Sequence, residues 1–231
     1  MANRTILITG TNRGIGLELT EQFAQDGWQV LACCRNPADA AQLQSLGGGD
    51  LDIEIFALDV TDYQQLSALA QQLADRPIDI LLCNAGIYGP RGAGFGAVDA
   101  QEWLRVLEVN TVAPLMLVQA FVTQVAASRQ KLVAVMSSKM GSIADNGGGE
   151  YIYRSSKTAV NQVVKSLSID LADRGISAIS LHPGWVRTDM GGANAEIGTS
   201  ESASGLKAIL QSAGPAQSGQ FLEFNGSSIP W

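Results

Sequence analysis

Ile6-Leu7-Ile8-Thr9-Gly10-Thr11-Asn12-Arg13-Gly14-Ile15-Gly16 compresses a strand, a turn and the start of a helix into one short stretch. The apolar run Ile6–Ile8 has the length and β-branching of a buried strand. From Ile15 the apolar residues Ile15, Leu19 and Phe23 recur every four positions, as on one face of a helix. Gly10 permits a tight turn between them, Gly14 lets backbone approach a bound group, and Gly16 lets the helix pack close to the strand. A helix opening at this point aims free N–H groups and its positive dipole end at whatever the turn holds, which suits phosphate. Glycines spaced this way, in strand–turn–helix context, indicate a dinucleotide site. Their G-x-x-x-G-x-G spacing departs from the commoner G-x-G-x-x-G.

The same alternation continues along the chain. Helix Ile15–Asp26 ends at Gly27 and is followed by strand Trp28–Cys34, helix Ala38–Leu46, strand Ile53–Leu58 and helix Tyr63–Ala74. Strand Ile78–Cys83, a long helix Asp99–Val125 and strand Leu132–Met136 come next. Helix Tyr151–Asp173, strand Ile176–Leu181, helix Glu201–Leu210 and strand Phe221–Phe224 complete the series. About seven strands, mostly apolar on both faces, call for a parallel sheet covered by helices on both sides. The expected fold is therefore α/β, a Rossmann-type doubly wound sheet in one domain spanning residues 1–231. Gly86–Gly96 and Gly191–Gly205 break the rhythm as small, polar, Gly-rich loops. Both follow strands, so both lie at the carboxyl ends of the sheet, where such folds bind ligands. The second is long enough to act as a lid.

Composition narrows the class. The 231 residues are 46% hydrophobic and 16% charged, with 15 Lys and Arg against 22 Asp and Glu, a net charge of −7. An acidic chain argues against nucleic-acid and anionic-membrane partners. Cys33, Cys34 and Cys83 form no CxxC pair and sit in apolar runs, as small buried hydrophobes do. His182 is the only histidine, which argues against a His-based metal site and a Ser-His-Asp enzyme. The segment MANRTILITG lacks a leader's long apolar core, and no apolar run approaches the ~20 residues of a membrane span. The expectation is a soluble protein of a reducing compartment, the cytoplasm.

The end of the second strand bears on which dinucleotide binds. An Asp or Glu there would hold a ribose 2′-hydroxyl, but this chain places uncharged Cys34 and then Arg35. Arg13 in the glycine turn supplies a second guanidinium. Two planar forks without a carboxylate suit a 2′-phosphate, hence NADP(H). Further on, Tyr153 and Lys157 stand four apart on a helix, on one face and about 6 Å apart along the axis. A phenol with an ordinary pKa near 10 needs tuning to work at neutral pH, and an ammonium one turn away beside an oxidised nicotinamide would favour the phenolate. Asn110 falls mid-helix with Pro114 four residues later. Proline has no N–H, so the Asn110 carbonyl loses its partner, the helix kinks, and the freed carbonyl can hold a water.

Taken in order, Thr9-Gly10-x-x-x-Gly14-Ile15-Gly16, Asn84-Ala85-Gly86, Asn110, Ser138, Tyr153-x-x-x-Lys157 and Pro183-Gly184 resemble the short-chain dehydrogenase/reductase family. Met136-Ser137-Ser138, Gly141-Ser142, Tyr151-x-Tyr153-Arg154 and the ending Ile229-Pro230-Trp231 are most similar to its sniffer-like carbonyl reductase and C-factor group. The resemblance implies an NADP(H)-dependent oxidoreductase acting reversibly on a ketone or aldehyde and the matching alcohol. Tyr153 would be the acid/base. Ser138 would orient the carbonyl, rather than Ser137, which strand alternation turns the other way. Lys157 would bind the nicotinamide ribose and tune Tyr153, and Asn110 would continue a proton relay. The cofactor site would comprise Gly10, Asn12, Arg13, Gly14, Ile15, Gly16, Arg35, Tyr153 and Lys157. Asp59 and Val60 would face the adenine, Asn84, Ala85 and Gly86 its ribose, and Pro183, Gly184, Val186 and Thr188 the carboxamide. His182 would be structural. Helix Leu104–Val125 is apolar almost all round, and Val160, Val163, Val164 and Leu167 extend that surface, so a homodimer or homotetramer is expected. Two other readings stand beside this one. An NADP-loaded sensor or developmental signalling protein need not retain all four of Asn110, Ser138, Tyr153 and Lys157. A sugar-nucleotide epimerase or dehydratase would need an added substrate domain of ~100 residues.

Overall fold

Runs such as Thr5–Thr9, Gln29–Cys34 and Leu132–Met136 carry buried side chains on both faces, so each must lie between two helical layers. The computed structural model describes residues 4–231; Met1, Ala2 and Asn3, part of the segment read for a leader, lie outside the described residues. Seven parallel strands form one sheet: β1 (Thr5–Thr9), β2 (Gln29–Cys34), β3 (Ile53–Ala57), β4 (Ile80–Cys83), β5 (Leu132–Met136), β6 (Ser177–His182) and β7 (Phe221–Glu223). Their order is β3-β2-β1-β4-β5-β6-β7. Leu7 on β1 pairs with Leu31 on one side and Leu81 on the other. The chain winds outward from β1 in one direction and then restarts at β4 in the other. That reversal opens a crevice at the carboxyl ends of β1 and β4, the place where doubly wound sheets take ligands.

One face is covered by α1 (Gly14–Gln25), α2 (Ala41–Gly47) and α7 (Thr199–Ser212), which pack Phe23, Leu43 and Leu206 against Ile6, Ile8 and Leu181. The other is covered by α3 (Tyr63–Gln72), α5 (Ala113–Ala126) and α6 (Tyr151–Asp170), with Leu66, Phe121 and Val160 against Leu7, Leu31 and Val133. The remaining helix, α4 (Ala100–Leu107), buries Val106 in a small satellite cluster with Ile152.

Several expected boundaries move for identifiable reasons. The helix expected over Ala38–Leu46 divides, because Pro37 opens a separate 3-10 turn to Asp39 before α2 starts at Ala41. The long helix from Asp99 is three pieces: α4, a π-helical turn Glu108–Val112, and α5. With Pro114 unable to donate, the Ala113 N–H reaches back to the Glu108 carbonyl and one wide turn absorbs the misfit. Gly175, in the left-handed region at φ 71°, follows the 3-10 turn Ala172–Arg174 beyond α6. The loop expected over Gly191–Gly205 is shorter than its composition suggests, since α7 begins at Thr199 and an isolated bridge pairs Val186 with Ile197. The helical run Ala100–Ala126 is long and apolar enough, by length and composition, to cross a membrane, contrary to expectation. Within the fold its Leu117, Phe121 and Val125 pack on the sheet.

The crevice is held by hydrogen bonds between β1 and β4. The Asn84 side chain donates from Nδ2 to the carbonyls of Thr9 at 2.8 Å and Gly10 at 3.2 Å. Thr9 Oγ1 accepts from the backbone N–H groups of Asn84 and Ala85, both at 3.1 Å. Gly16 is required by the same contact: a Cβ there would lie 2.2 Å from the Gly10 carbonyl oxygen and 2.5 Å from Asn84 Nδ2. Gly16→Ala should therefore cost about 1–3 kcal/mol. In a thermal unfolding scan that corresponds to a Tm lower by roughly 2–12 °C, and an unchanged Tm would show that the brace tolerates the extra carbon.

Candidate active site

A cleft of about 1190 Å³ runs along the carboxyl ends of the strands, from the glycine turn to α6. The turn itself is built as the sequence requires. Gly10 and Gly14 adopt φ of 74° and 58°, a region costly to residues with a Cβ, and Asn12, Ile15 and Gly16 join them in the cleft wall. Arg13 also lines the cleft, but its guanidinium is paired with Asp189 at 2.8 Å, an exposed contact to the loop that follows β6.

At one end, Arg35 follows β2 and lines the cleft beside Asp59 and Val60. Gln42 and Ser45, two α2 residues that the sequence reading missed, line the same end. Both are uncharged polar residues on a short helix, a pattern that carries no signal without the fold. Burial acts to raise the Asp59 pKa, but hydrogen bonds from Thr61 N–H at 2.9 Å and Thr61 Oγ1 at 2.7 Å, with Arg35 nearby, hold it below the ordinary value. Asp59 Oδ1 is thus engaged locally. Asn84, Ala85 and Gly86 form the middle of the wall. A Cβ on Gly86 would stand 3.2 Å from Asn110 Oδ1 and 3.5 Å from Lys157 Nζ, so the glycine backbone lies directly against both side chains.

The other end holds Tyr153 and Lys157, both buried on α6, with Pro183 and Thr188 opposite. The Ser138 hydroxyl accepts from the Met140 N–H at 3.2 Å and stands close enough to the Tyr153 phenol to draw its pKa down. Ser137, set aside in the sequence in favour of Ser138, itself lines the cleft, and its hydroxyl donates to the Lys157 carbonyl at 3.4 Å. Burial pushes the Tyr153 pKa up to about 12, while Ser138 draws it down. The helical spacing does place Lys157 on the tyrosine's face, with Nζ 5.8 Å from the ring centroid. That ammonium, however, donates to the Met136 carbonyl at 2.8 Å, and burial lowers its own pKa to about 8. Burial is the largest influence on the phenol, and the lysine's hydrogen bond is directed to Met136 rather than to the tyrosine.

Four expected site residues stand behind the wall rather than in it. Asn110 is buried in the π-helical turn, and its side chain clamps Ile87, accepting from its N–H at 2.9 Å and donating to its carbonyl at 2.8 Å. It also donates to Ser156 Oγ at 3.0 Å. Ser138 borders Tyr153 from the end of β5. Gly184, at φ 84°, has Ile197 and Phe224 packed where a Cβ would project. Val186 is buried in its bridge with Ile197. His182 lies outside the cleft lining; burial, with Lys139 nearby, lowers its pKa to about 4 and leaves it neutral near pH 7. Tyr88, in the Gly86–Gly96 loop, stacks on Tyr153 with ring centroids 4.3 Å apart.

This arrangement recurs in solved proteins. The carbonyl reductase Sniffer of D. melanogaster superposes with a TM-score of 0.92 at 34% identity, covering 100% of both chains. An NADPH-bound carbonyl reductase from chicken fatty liver also gives 0.92, at 31% identity over 100% of both chains. The C-signal protein of Myxococcus xanthus is 36% identical over 167 residues, 72% of this chain and all of that one. A family model for short chain dehydrogenases matches residues 4–197. Together with the seven-stranded sheet and its cleft, these matches establish that the chain belongs to the short-chain dehydrogenase family of NAD(P)-dependent oxidoreductases.

Proposed function

We propose that the protein is an NADPH-dependent carbonyl reductase converting a ketone or aldehyde to the alcohol. One observation carries this reading: a buried phenol, a serine hydroxyl and a buried lysine converge at one end of a cleft whose other end presents Arg35. The cleft fits a dinucleotide, because Gly10, Gly14 and Gly86 leave backbone bare where a Cβ would intrude. When bound, the reduced cofactor supplies the hydride that the carbonyl carbon accepts. Tyr153, held protonated by burial, donates its phenolic proton to the carbonyl oxygen. Ser138 donates a hydrogen bond to the same oxygen and fixes its place. Lys157 binds the nicotinamide ribose and, once charged, stabilises the phenolate left behind. Asn110 acts in reprotonation through the irregular turn that carries it. Arg35 grips the 2′-phosphate, and Arg13 joins it on leaving Asp189. Asn12, Ile15, Asp59, Val60, Ala85, Gly184, Val186 and Thr188 complete the cofactor contacts.

A signalling role without catalysis is the second reading, suggested by the likeness to the C-signal protein. The retention of Asn110, Ser138, Tyr153 and Lys157 favours the enzyme. Val160, Val164 and Leu167 on α6 pack into the core rather than extending an exposed surface, because that face of the helix covers the sheet; the exposed Leu104 on α4 and Ile169 on α6 support assembly into a homodimer or homotetramer. Three free, buried cysteines support a cytoplasmic location.

Tyr153→Phe should reduce turnover by ~10²–10⁴-fold while leaving NADPH affinity within a few-fold, measured by absorbance loss and fluorescence titration; full turnover would remove the assigned acid. Arg35→Ala should weaken NADPH by about tenfold or more and NADH hardly at all. Equal weakening of both would refute the 2′-phosphate contact. Lys157 is charged below its lowered pKa and neutral above it. So kcat/KM for reduction should stay level up to about pH 8 and fall above it, and a profile that climbs through that range contradicts the role.

A further inference from the structure

We infer that Tyr88 is a positioning residue for Tyr153, its ring pressing the phenol into place beside Ser138. The inference rests on the reading of Tyr153 as proton donor. The two rings stack with centroids 4.3 Å apart and planes inclined by 20°. Stacking of this kind fixes a ring's plane as well as burying its face.

The loop that carries Tyr88 is held unusually firmly at that point. Ile87, just before it, is clamped at both its N–H and its carbonyl by the Asn110 side chain. Gly89, just after it, lies at φ 81° with its backbone against α4 and α6; a Cβ there would meet Val106 Cγ2 at 2.7 Å. Only glycine permits both the conformation and the approach. From the loop's far side the Arg91 guanidinium lies 4.7 Å from the Tyr88 ring centroid and donates to the Met190 carbonyl. The Tyr88 hydroxyl stands 3.9 Å from Met140 Sδ, and the Met140 N–H donates to Ser138 Oγ. One side chain thus touches the proposed acid and the residue that aims the hydroxyl beside it. Reaction geometry displaced by ~1 Å can lose on the order of 10²-fold in rate, so a ring that holds the phenol still has a function to perform.

The groups facing the stack are few. Lys157 approaches Tyr153 from α6 and Ser138 from the end of β5. The Tyr88 hydroxyl faces Glu150, with Arg91 and Arg154 close by. Burial raises the pKa of both phenols, and the neighbouring Tyr88 adds to the rise at Tyr153.

The test is tyrosine ionisation followed by NMR of the full chain labelled with ¹³C at tyrosine Cζ, with the Tyr153 signal identified by its loss in Tyr153→Phe. In the wild-type protein Tyr153 should remain protonated near pH 10, the ordinary tyrosine pKa. In Tyr88→Leu, which removes the stacked ring, it should ionise about one unit lower and be half ionised at pH ~11, where the wild-type phenol is still mostly protonated. Tyr88→Phe keeps the stack but loses the hydroxyl's charge, so it should move the Tyr153 signal less than Tyr88→Leu does. A Tyr153 signal that titrates alike in all three proteins, or that moves as far in Tyr88→Phe as in Tyr88→Leu, overturns the inference. Because the titration needs no turnover, it is independent of the proton-donor reading, which fails only if Tyr153→Phe stays active.

Discussion

The Asn84 side chain joins the two halves of the sheet at the point where the winding reverses. Its amide donates to two successive carbonyls at the end of β1, and Thr9 answers by accepting two N–H groups from the end of β4. Four hydrogen bonds across one crevice leave no room for a Cβ on Gly16 and very little for one on Gly10. The carboxyl ends of β1 and β4 are where backbone polar groups would otherwise emerge without partners, and such groups are expensive to leave unpaired. The brace satisfies them and also sets the width of the cleft. Everything that lines the cleft inherits its position from this pairing.

The chemistry at the far end depends on burial in the same way. Tyr153 and Lys157 are pushed in opposite directions, the phenol up to about 12 and the ammonium down to about 8, because each resists carrying charge away from water. Their neutral forms are thereby favoured together. A cationic ring entering the cleft would shift both balances, since a positive charge stabilises phenolate and further disfavours ammonium. The donor role proposed for Tyr153 suits this state, since a buried phenol keeps its proton until an acceptor reaches it.

Much of this was legible before any coordinates. The glycine turn, the alternating apolar runs and Tyr153-x-x-x-Lys157 each express a local rule, and local rules survive folding. The strand Leu132–Met136 has the bounds its sequence suggested, because five apolar residues between polar neighbours admit one assignment. What could not be read depends on distance in space. The π-helical turn was visible only as a helix that Pro114 must disturb, not as the wide turn that turns Asn110 onto Ile87. Arg13 was chosen for an anion and found one, but in Asp189, 176 residues away along the chain. The hydroxyl of Ser138 followed from strand alternation, whereas the ring of Tyr88 did not, since loop stacking obeys no period.

The loop between β6 and α7 draws these parts together. Asp189 reaches across the cleft to Arg13 in the glycine turn, and the Met190 carbonyl accepts from Arg91 beside Tyr88. Two adjacent residues therefore touch both ends of the site, one contact over the glycine turn and one over the ring that backs Tyr153. Asp189 and Arg13 are mostly exposed, and water screens such a pair until it is worth little. The loop's base is different: Val186 is buried and bridged to Ile197, and Gly184 is packed by Ile197 and Phe224. Trp185 from the base donates to the Gly191 carbonyl at 2.8 Å and Gly191 N–H donates to Thr188 Oγ1 at 3.0 Å, so the loop closes on itself before it meets the cleft wall. Its shape is thus set by its own base, and its contacts with the glycine turn and with Arg91 follow from that shape.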